Sequence, residues 1–135
     1  MSIEIDHLGI AVRNLQEGLQ FYEQSLGMRV IHREIVESER VNVAMLPAGG
    51  PPPGSRIELL EATDADSPIA QFIEKRGPGL HHIAFRVDDL TAAIESLKVR
   101  GARLLNEPRK GAGDHTYVFV HPASTGGVLV ELIQK

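Results

Sequence analysis

GLHHIAFRV, residues 79–87, decides how this chain is read, because it repeats what residues 7–12, HLGIAV, have already written. In both stretches a histidine opens a run of alternating apolar and small residues, the pattern of a strand with one buried face. His7 and His82 stand 75 residues apart. A second echo follows: RIELLEA at 56–62 and LVELIQK at 129–135 each set a glutamate among aliphatic residues, and those glutamates, Glu58 and Glu131, stand 73 residues apart. Matches at nearly one offset mark an internal duplication whose equivalent points are polar.

Working outward, the first repeat begins with a strand in which Leu8, Ile10 and Val12 share one face and His7, Gly9 and Ala11 the other. Asn14, with Glu17 three residues on, has capping-box spacing for a helix whose apolar stripe is Leu15, Leu19, Tyr22 and Leu26, ended by Gly27. Strands are expected at 29–36 and 40–46, the latter with Val41, Val43 and Met45 on one face and Asn42 and Ala44 on the other. The run GGPPPGS (49–55) demands a loop, since proline removes ladder donors. The strand carrying Glu58 closes a β-α-β-β-β unit.

Ser67-Pro68 then reads as an N-cap followed by proline at the first helical position, opening a short helix that runs to Gly77. The second repeat has a strand burying Ile83, Phe85 and Val87. Its helix is capped by Asp88 or Asp89, carries Leu90, Ile94 and Leu97 on one face, and ends at Gly101. A strand at 102–106, the loop EPRKGAGDH, the strand TYVFVH, the turn PASTGG and a last strand VLVELIQ complete it. The expectation is an α+β fold in a single domain, 1–135: module 1 at about 3–63, a linker helix at about 67–77 and module 2 at about 79–135, the two β-α-β-β-β modules forming a curved mixed-sheet cup.

Composition narrows the partners. A net charge of −4 and a pI near 5.8 do not suit a nucleic-acid or anionic-membrane surface, which needs an excess of Lys and Arg, so a small-molecule partner is expected. The chain has no cysteine, which excludes disulfides and thiolate metal sites and leaves nitrogen and oxygen ligands. No signal-like or membrane-spanning apolar stretch stands out, and a cytoplasmic protein is expected.

Neighbouring strand residues point to opposite faces. If aliphatic neighbours pack against the helices, His7, Glu58, His82 and Glu131 all turn the other way, and curved half-sheets would bring them together beside Gly9, Ala11 and Ala84. Two imidazoles and two carboxylates suit a divalent metal with open positions for substrate or water. A lone strand histidine is more often a core or surface residue, but four ligand-type residues at repeat-equivalent points argue for a metal. His81 has the wrong parity and belongs to the helix side or the rim. His32 and His115 read as surface or rim residues, while His121, matched to Leu46 across the repeat, falls on the ligand face. Glu34, Glu37 and Glu39 read as a charged surface run.

Paired β-α-β-β-β modules with ligands on the first and last strands resemble the vicinal-oxygen-chelate (glyoxalase/bleomycin resistance/dioxygenase) superfamily over essentially the whole chain. More narrowly, SPIAQFIEKRGPGLHHIAFRVDD, GAGDH and HPASTGGVLVEL resemble the methylmalonyl-CoA epimerase family. That resemblance implies an isomerase, here a metal-dependent racemase/epimerase acting on an acyl-CoA through proton abstraction next to the thioester carbonyl; a homodimer is expected from the duplication and the uncapped edges of two short sheets. The resemblance implies the ligands His7, His82 and Glu131, with Glu58 where at least some epimerases carry Gln, and cobalt as the divalent ion, with nickel, manganese, zinc or iron as alternatives. Glu131 is then one base. For the second, some epimerases carry a glutamate on the third strand, where this chain is read to have Asn42, an amide that cannot serve; Glu58 or Glu39 could take the role. Arg33, Arg76, Arg109 and Lys110 could meet CoA phosphates or be solvated surface charges. A glyoxalase-type lyase, a dioxygenase or a non-catalytic binder are the alternatives within the superfamily.

Overall fold

A computed structural model describes residues 2–111 and 115–135. The first alternating run forms β1 (Ile3–Ala11), followed by α1 (Leu15–Leu19) and a π-helical continuation over Gln20–Ser25. Asn14 caps α1 by accepting the Glu17 N–H at 2.8 Å. β2 (His32–Val36), a 3-10 turn at Glu37–Glu39, β3 (Val41–Pro47) and β4 (Arg56–Ala62) complete the first module, hydrogen-bonded in the order β2-β3-β4-β1. β4 runs parallel to β1, while β3 is antiparallel to both β2 and β4.

After α2 (Pro68–Arg76), capped by Ser67 as its sequence predicts, the second module repeats the plan. β5 (Gly79–Val87) leads to α3 (Leu90–Val99), whose N-cap is Asp89, accepting the Ala92 N–H at 3.0 Å. Then come β6 (Arg109–Lys110), β7 (Thr116–Val120), a 3-10 turn at Pro122–Ser124 and β8 (Val130–Gln134). The order is β5-β8-β7-β6, with β8 parallel to β5 and β7 antiparallel to β8. Equating β1 with β5 makes the two modules topologically identical. The expected α+β pairing of β-α-β-β-β units is borne out.

The cores show which faces the helices cover. α1 buries Leu15 and Leu19 against Val12, Ala44, Leu46 and Leu59, and α3 buries Leu90 and Ile94 against Val118, Val120 and Leu132. These strand residues alternate with Glu58 and Glu131, so both glutamates face away from α1 and α3, as parity requires. α2 behaves differently. Its Ile69, Phe72 and Ile73 pack with Ala11, Val41, Val43 and Leu60, on the same face of the first module as His7 and Glu58.

Three local expectations give way. Leu26 is 58% exposed, because the π-helical stretch adds a residue to the turn and rotates it off the Leu15–Leu19 stripe. The strand expected at 102–106 is reduced to a bridge between Leu104 and Val120. There the Asn106 side chain accepts the Phe119 N–H at 2.9 Å, a bond a neighbouring backbone carbonyl would otherwise supply. The strand expected from 29 begins at His32.

By Cα packing the chain divides into His7–His81 and a second unit of His82–Lys135 with the residues up to Asp6. The contacts of β1's first residues explain that membership. The fully buried Asp6 carboxylate accepts from Arg86 Nη1 at 2.7 Å and Lys135 Nζ at 2.8 Å, and Glu4 accepts from Arg86 Nη2 at 2.9 Å. Burial opposes the Arg86 charge, but the hydrogen bonds and charges of Glu4 and Asp6 outweigh it and hold the guanidinium above its usual range.

Candidate functional site

Each module builds one histidine–carboxylate pair by the same device. In the first, parallel pairing sets Gly9 of β1 opposite Glu58 of β4, and His7 lies two residues earlier on the same face of β1. His7 Nδ1 stands 3.3 Å from Glu58 Oε2, and both residues are buried. In the second, Ala84 of β5 pairs with Glu131 of β8, His82 lies two residues earlier, and His82 Nε2 stands 3.2 Å from Glu131 Oε1. A small residue opposite the glutamate leaves room for its side chain to reach the imidazole. The repeat seen in sequence is thus a repeat in register.

Two lone-pair donors at such distances need a proton or a cation between them. Within each pair an imidazole N–H can supply the proton, or the same nitrogen and oxygen atoms would hold a divalent ion in its place. Imidazole with carboxylate is a donor set suited to zinc, iron, cobalt, nickel or manganese, and the residues of each pair fit such an ion. The Asp6 carboxylate, though buried, is committed to two cationic side chains.

The third strand of each module lines the same face. Met45 of β3 pairs with Glu58, and Val43 pairs with Leu60, so Val41, Val43 and Met45 share the Glu58 face. Asn42 lies on the other face, donating to Glu61 at 3.1 Å. This corrects the expectation that Asn42 occupies the place of a third-strand base: the ligand face of β3 is aliphatic. In the second module Phe119 pairs with Glu131 and sets its ring edge-on to His82, with centroids 5.6 Å apart. Neither Met45 nor Phe119 stands out in the sequence, where each looks like one more core residue. The signal that could have found them is their nearly equal distance before the glutamates, 13 residues for Met45 and 12 for Phe119.

The remaining histidines take other partners. His81 packs edge-on against Phe72 of α2, with ring centroids 4.9 Å apart. His32 meets Glu34 at 2.8 Å on the surface. His121 caps the 3-10 turn at Pro122, its Nδ1 accepting the Ala123 N–H at 2.9 Å; since Phe119 is matched to Met45, its repeat partner is Pro47 rather than Leu46. His115 accepts the Gly111 N–H through its carbonyl, and the rest of GAGDH, residues 112–114, lies outside the described residues. Glu39 sits in the turn between β2 and β3. Of the basic residues considered for phosphates, Arg76 lies 5.8 Å from the centre of the Phe72 ring, and Arg33, Arg109 and Lys110 are exposed. A cavity of about 420 Å³ lies apart from the pairs, lined by Lys98, Ala102, Leu104, Leu105, Asn106 and Glu107.

Comparison with known proteins adds family context. The family model described as the Glyoxalase/Bleomycin resistance protein/Dioxygenase superfamily matches residues 6–119. The ethylmalonyl-CoA/methylmalonyl-CoA epimerase of Cereibacter sphaeroides is 38% identical, over 96% of this chain and 96% of that protein. The mitochondrial methylmalonyl-CoA epimerase of Homo sapiens is also 38% identical, over 96% of this chain and 73% of its own length. A solved methylmalonyl-CoA epimerase in complex with methylmalonyl-CoA and NH4+ superposes with a TM-score of 0.93 at 37% identity, covering 100% of this chain and 96% of that one.

Proposed function

This chain belongs to the glyoxalase/bleomycin resistance protein/dioxygenase superfamily, and from that premise we propose that it epimerises methylmalonyl-CoA, inverting the carbon between the thioester and the free carboxylate. The observation that carries the reading is the pair of buried histidine–glutamate couples, built in one register in both modules, in a chain that is similar to methylmalonyl-CoA epimerases over nearly its whole length. We assign His7, Glu58, His82 and Glu131 to one divalent ion, cobalt by resemblance. Bound there, such an ion would act as a Lewis acid, polarising the thioester carbonyl and offsetting the negative charge that develops as the adjacent proton leaves.

The chain's own residues then move the proton. A carboxylate has two oxygens, so Glu131 can turn one towards His82 and use the other to take the proton from the substrate carbon. The electron pair of the broken C–H bond passes into the thioester carbonyl, giving a planar enolate. Inversion needs a proton returned on the opposite face. Val41, Val43 and Met45 offer no acid or base on the ligand face of β3, and we assign Glu58, beside Met45, as the second proton carrier. Burial of both carboxylates excludes water that would compete for the proton. The substrate is thus an acyl-CoA. A cytoplasmic homodimer completes the proposal; the exposed Ile35 on β2, a terminal strand of its module, supports a partner surface, and light scattering checks the state.

The test is solvent exchange. Metal-loaded protein in heavy water should place deuterium on the carbon next to the thioester and interconvert the two epimers, and chelation should stop both. Absence of exchange under every metal overturns the reading. Turnover of a thiohemiacetal, oxygen consumption with iron(II), or ligand affinity without turnover would point respectively to a lyase, a dioxygenase or a binder.

A further inference from the structure

The substituent on the reacting carbon is the apolar group that distinguishes one 2-alkylmalonyl thioester from another, and a rigid apolar wall beside a base can sort substrates by its size. From the surroundings of Glu131 we infer that Phe119 is the specificity-determining residue for that substituent; the inference rests on the epimerase reading above. Phe119 is paired directly with Glu131 across β7 and β8, so its side chain rises beside the carboxylate on the ligand face. Its strand neighbours Val118 and Val120 are buried on the opposite face, while Phe119 itself stays only partly buried. A carbon in reach of the Glu131 carboxylate therefore carries its substituent within reach of this ring.

The ring is held from several sides. It lies edge-on to His82 at 5.6 Å and edge-on to Tyr117 at 5.7 Å. Tyr117 is buried and closely backed by Gly111, where a Cβ would come within 3.0 Å of two of its ring carbons. The Phe119 backbone is fixed as well, donating to the Asn106 side chain at 2.9 Å and accepting the Leu105 N–H at 2.8 Å. The repeat-equivalent position in the first module is Met45, paired with Glu58. Methionine is unbranched and adapts to what it meets, whereas a braced phenyl ring does not. Size selection accordingly falls to Phe119.

The experiment measures kcat/KM for methylmalonyl-CoA and ethylmalonyl-CoA with metal-loaded wild type, Phe119→Leu and Phe119→Ala, with metal content and circular dichroism followed in parallel. The ratio of ethyl to methyl substrate should rise about tenfold or more in Phe119→Ala, the discrimination one methylene commonly carries in an apolar pocket, with Phe119→Leu intermediate. Equal losses on both substrates, accompanied by loss of metal, would mean that the ring only holds His82 in place and would overturn the inference. Should Phe119→Ala fail to fold, the ratio in Phe119→Leu decides, and an unshifted ratio overturns it. Wild-type protein that neither exchanges nor inverts either ester overturns the epimerase reading itself, and the inference with it. Wild-type activity with unshifted ratios in the variants sinks the specificity role alone.

Discussion

In the proposed mechanism, Glu58 is the residue on which this chain's own version of the chemistry turns. Its carboxylate stands where the family resemblance puts an amide in some epimerases, and the ligand face of the neighbouring strand carries Val41, Val43, Met45 and Pro47, none of them an acid or a base. If Glu58 and Glu131 serve opposite faces of the enolate, removing either leaves one-sided exchange. Glu58→Gln should still place deuterium on one epimer while inversion falls about 10²-fold or more, and Glu131→Gln should do the same for the other epimer; proton NMR in heavy water separates exchange from inversion. Inversion that survives Glu58→Gln unchanged would place the second base elsewhere. The adjacent histidines make a second comparison. His82, buried against Glu131, should be required for metal retention, whereas His81, packed on Phe72, should not. Elemental analysis of His82→Ala and His81→Ala checks this, and metal lost only from the His81 variant would reverse the assignment.

Among the elements, α2 carries more than a linker's role. Its N-cap Ser67 is fully buried, its Oγ accepts the Ile69 N–H, and the helix packs on the face of the first module that carries His7 and Glu58. Ser67→Ala should lower stability by about 1 kcal/mol in urea titration and also reduce turnover, because the wall beyond Leu60 loosens with the helix. The start of β1 is tied by another means. Asp6 answers Arg86 and Lys135 together, so Asp6→Asn leaves two cationic side chains without their shared carboxylate and should destabilise the protein by about 3 kcal/mol, read from the shift in the urea midpoint. A change within 0.5 kcal/mol would show that solvent already satisfies both cations.

For the whole molecule, the two modules are one architecture written twice, and the proposed ion would bind the folded chain alone. A divalent metal at a hundredfold excess over its dissociation constant should then add about 2.7 kcal/mol, raising Tm by about 8 °C at this size. That gain should vanish in a variant lacking both His7 and His82. A full gain in the double variant would place the metal at another site.

What the sequence by itself determined was periodic. Strand alternation, the caps Asn14, Ser67 and Asp89, and the offsets between His7 and His82 and between Glu58 and Glu131 are local or repeated patterns. Backbone geometry alone converts them into modules and faces. The tertiary structure decided what depends on register and on contacts between distant segments. A shift of one residue moves a side chain to the other face, so only the pairing of Met45 with Glu58 could show that Asn42 points away and that Val41, Val43 and Met45 line the face of Glu58. Likewise, nothing local in β1 announces that Asp6 will find Arg86 and Lys135, or that α2 will settle on the ligand face. Those outcomes are set by which buried surfaces and charges meet once the chain has folded.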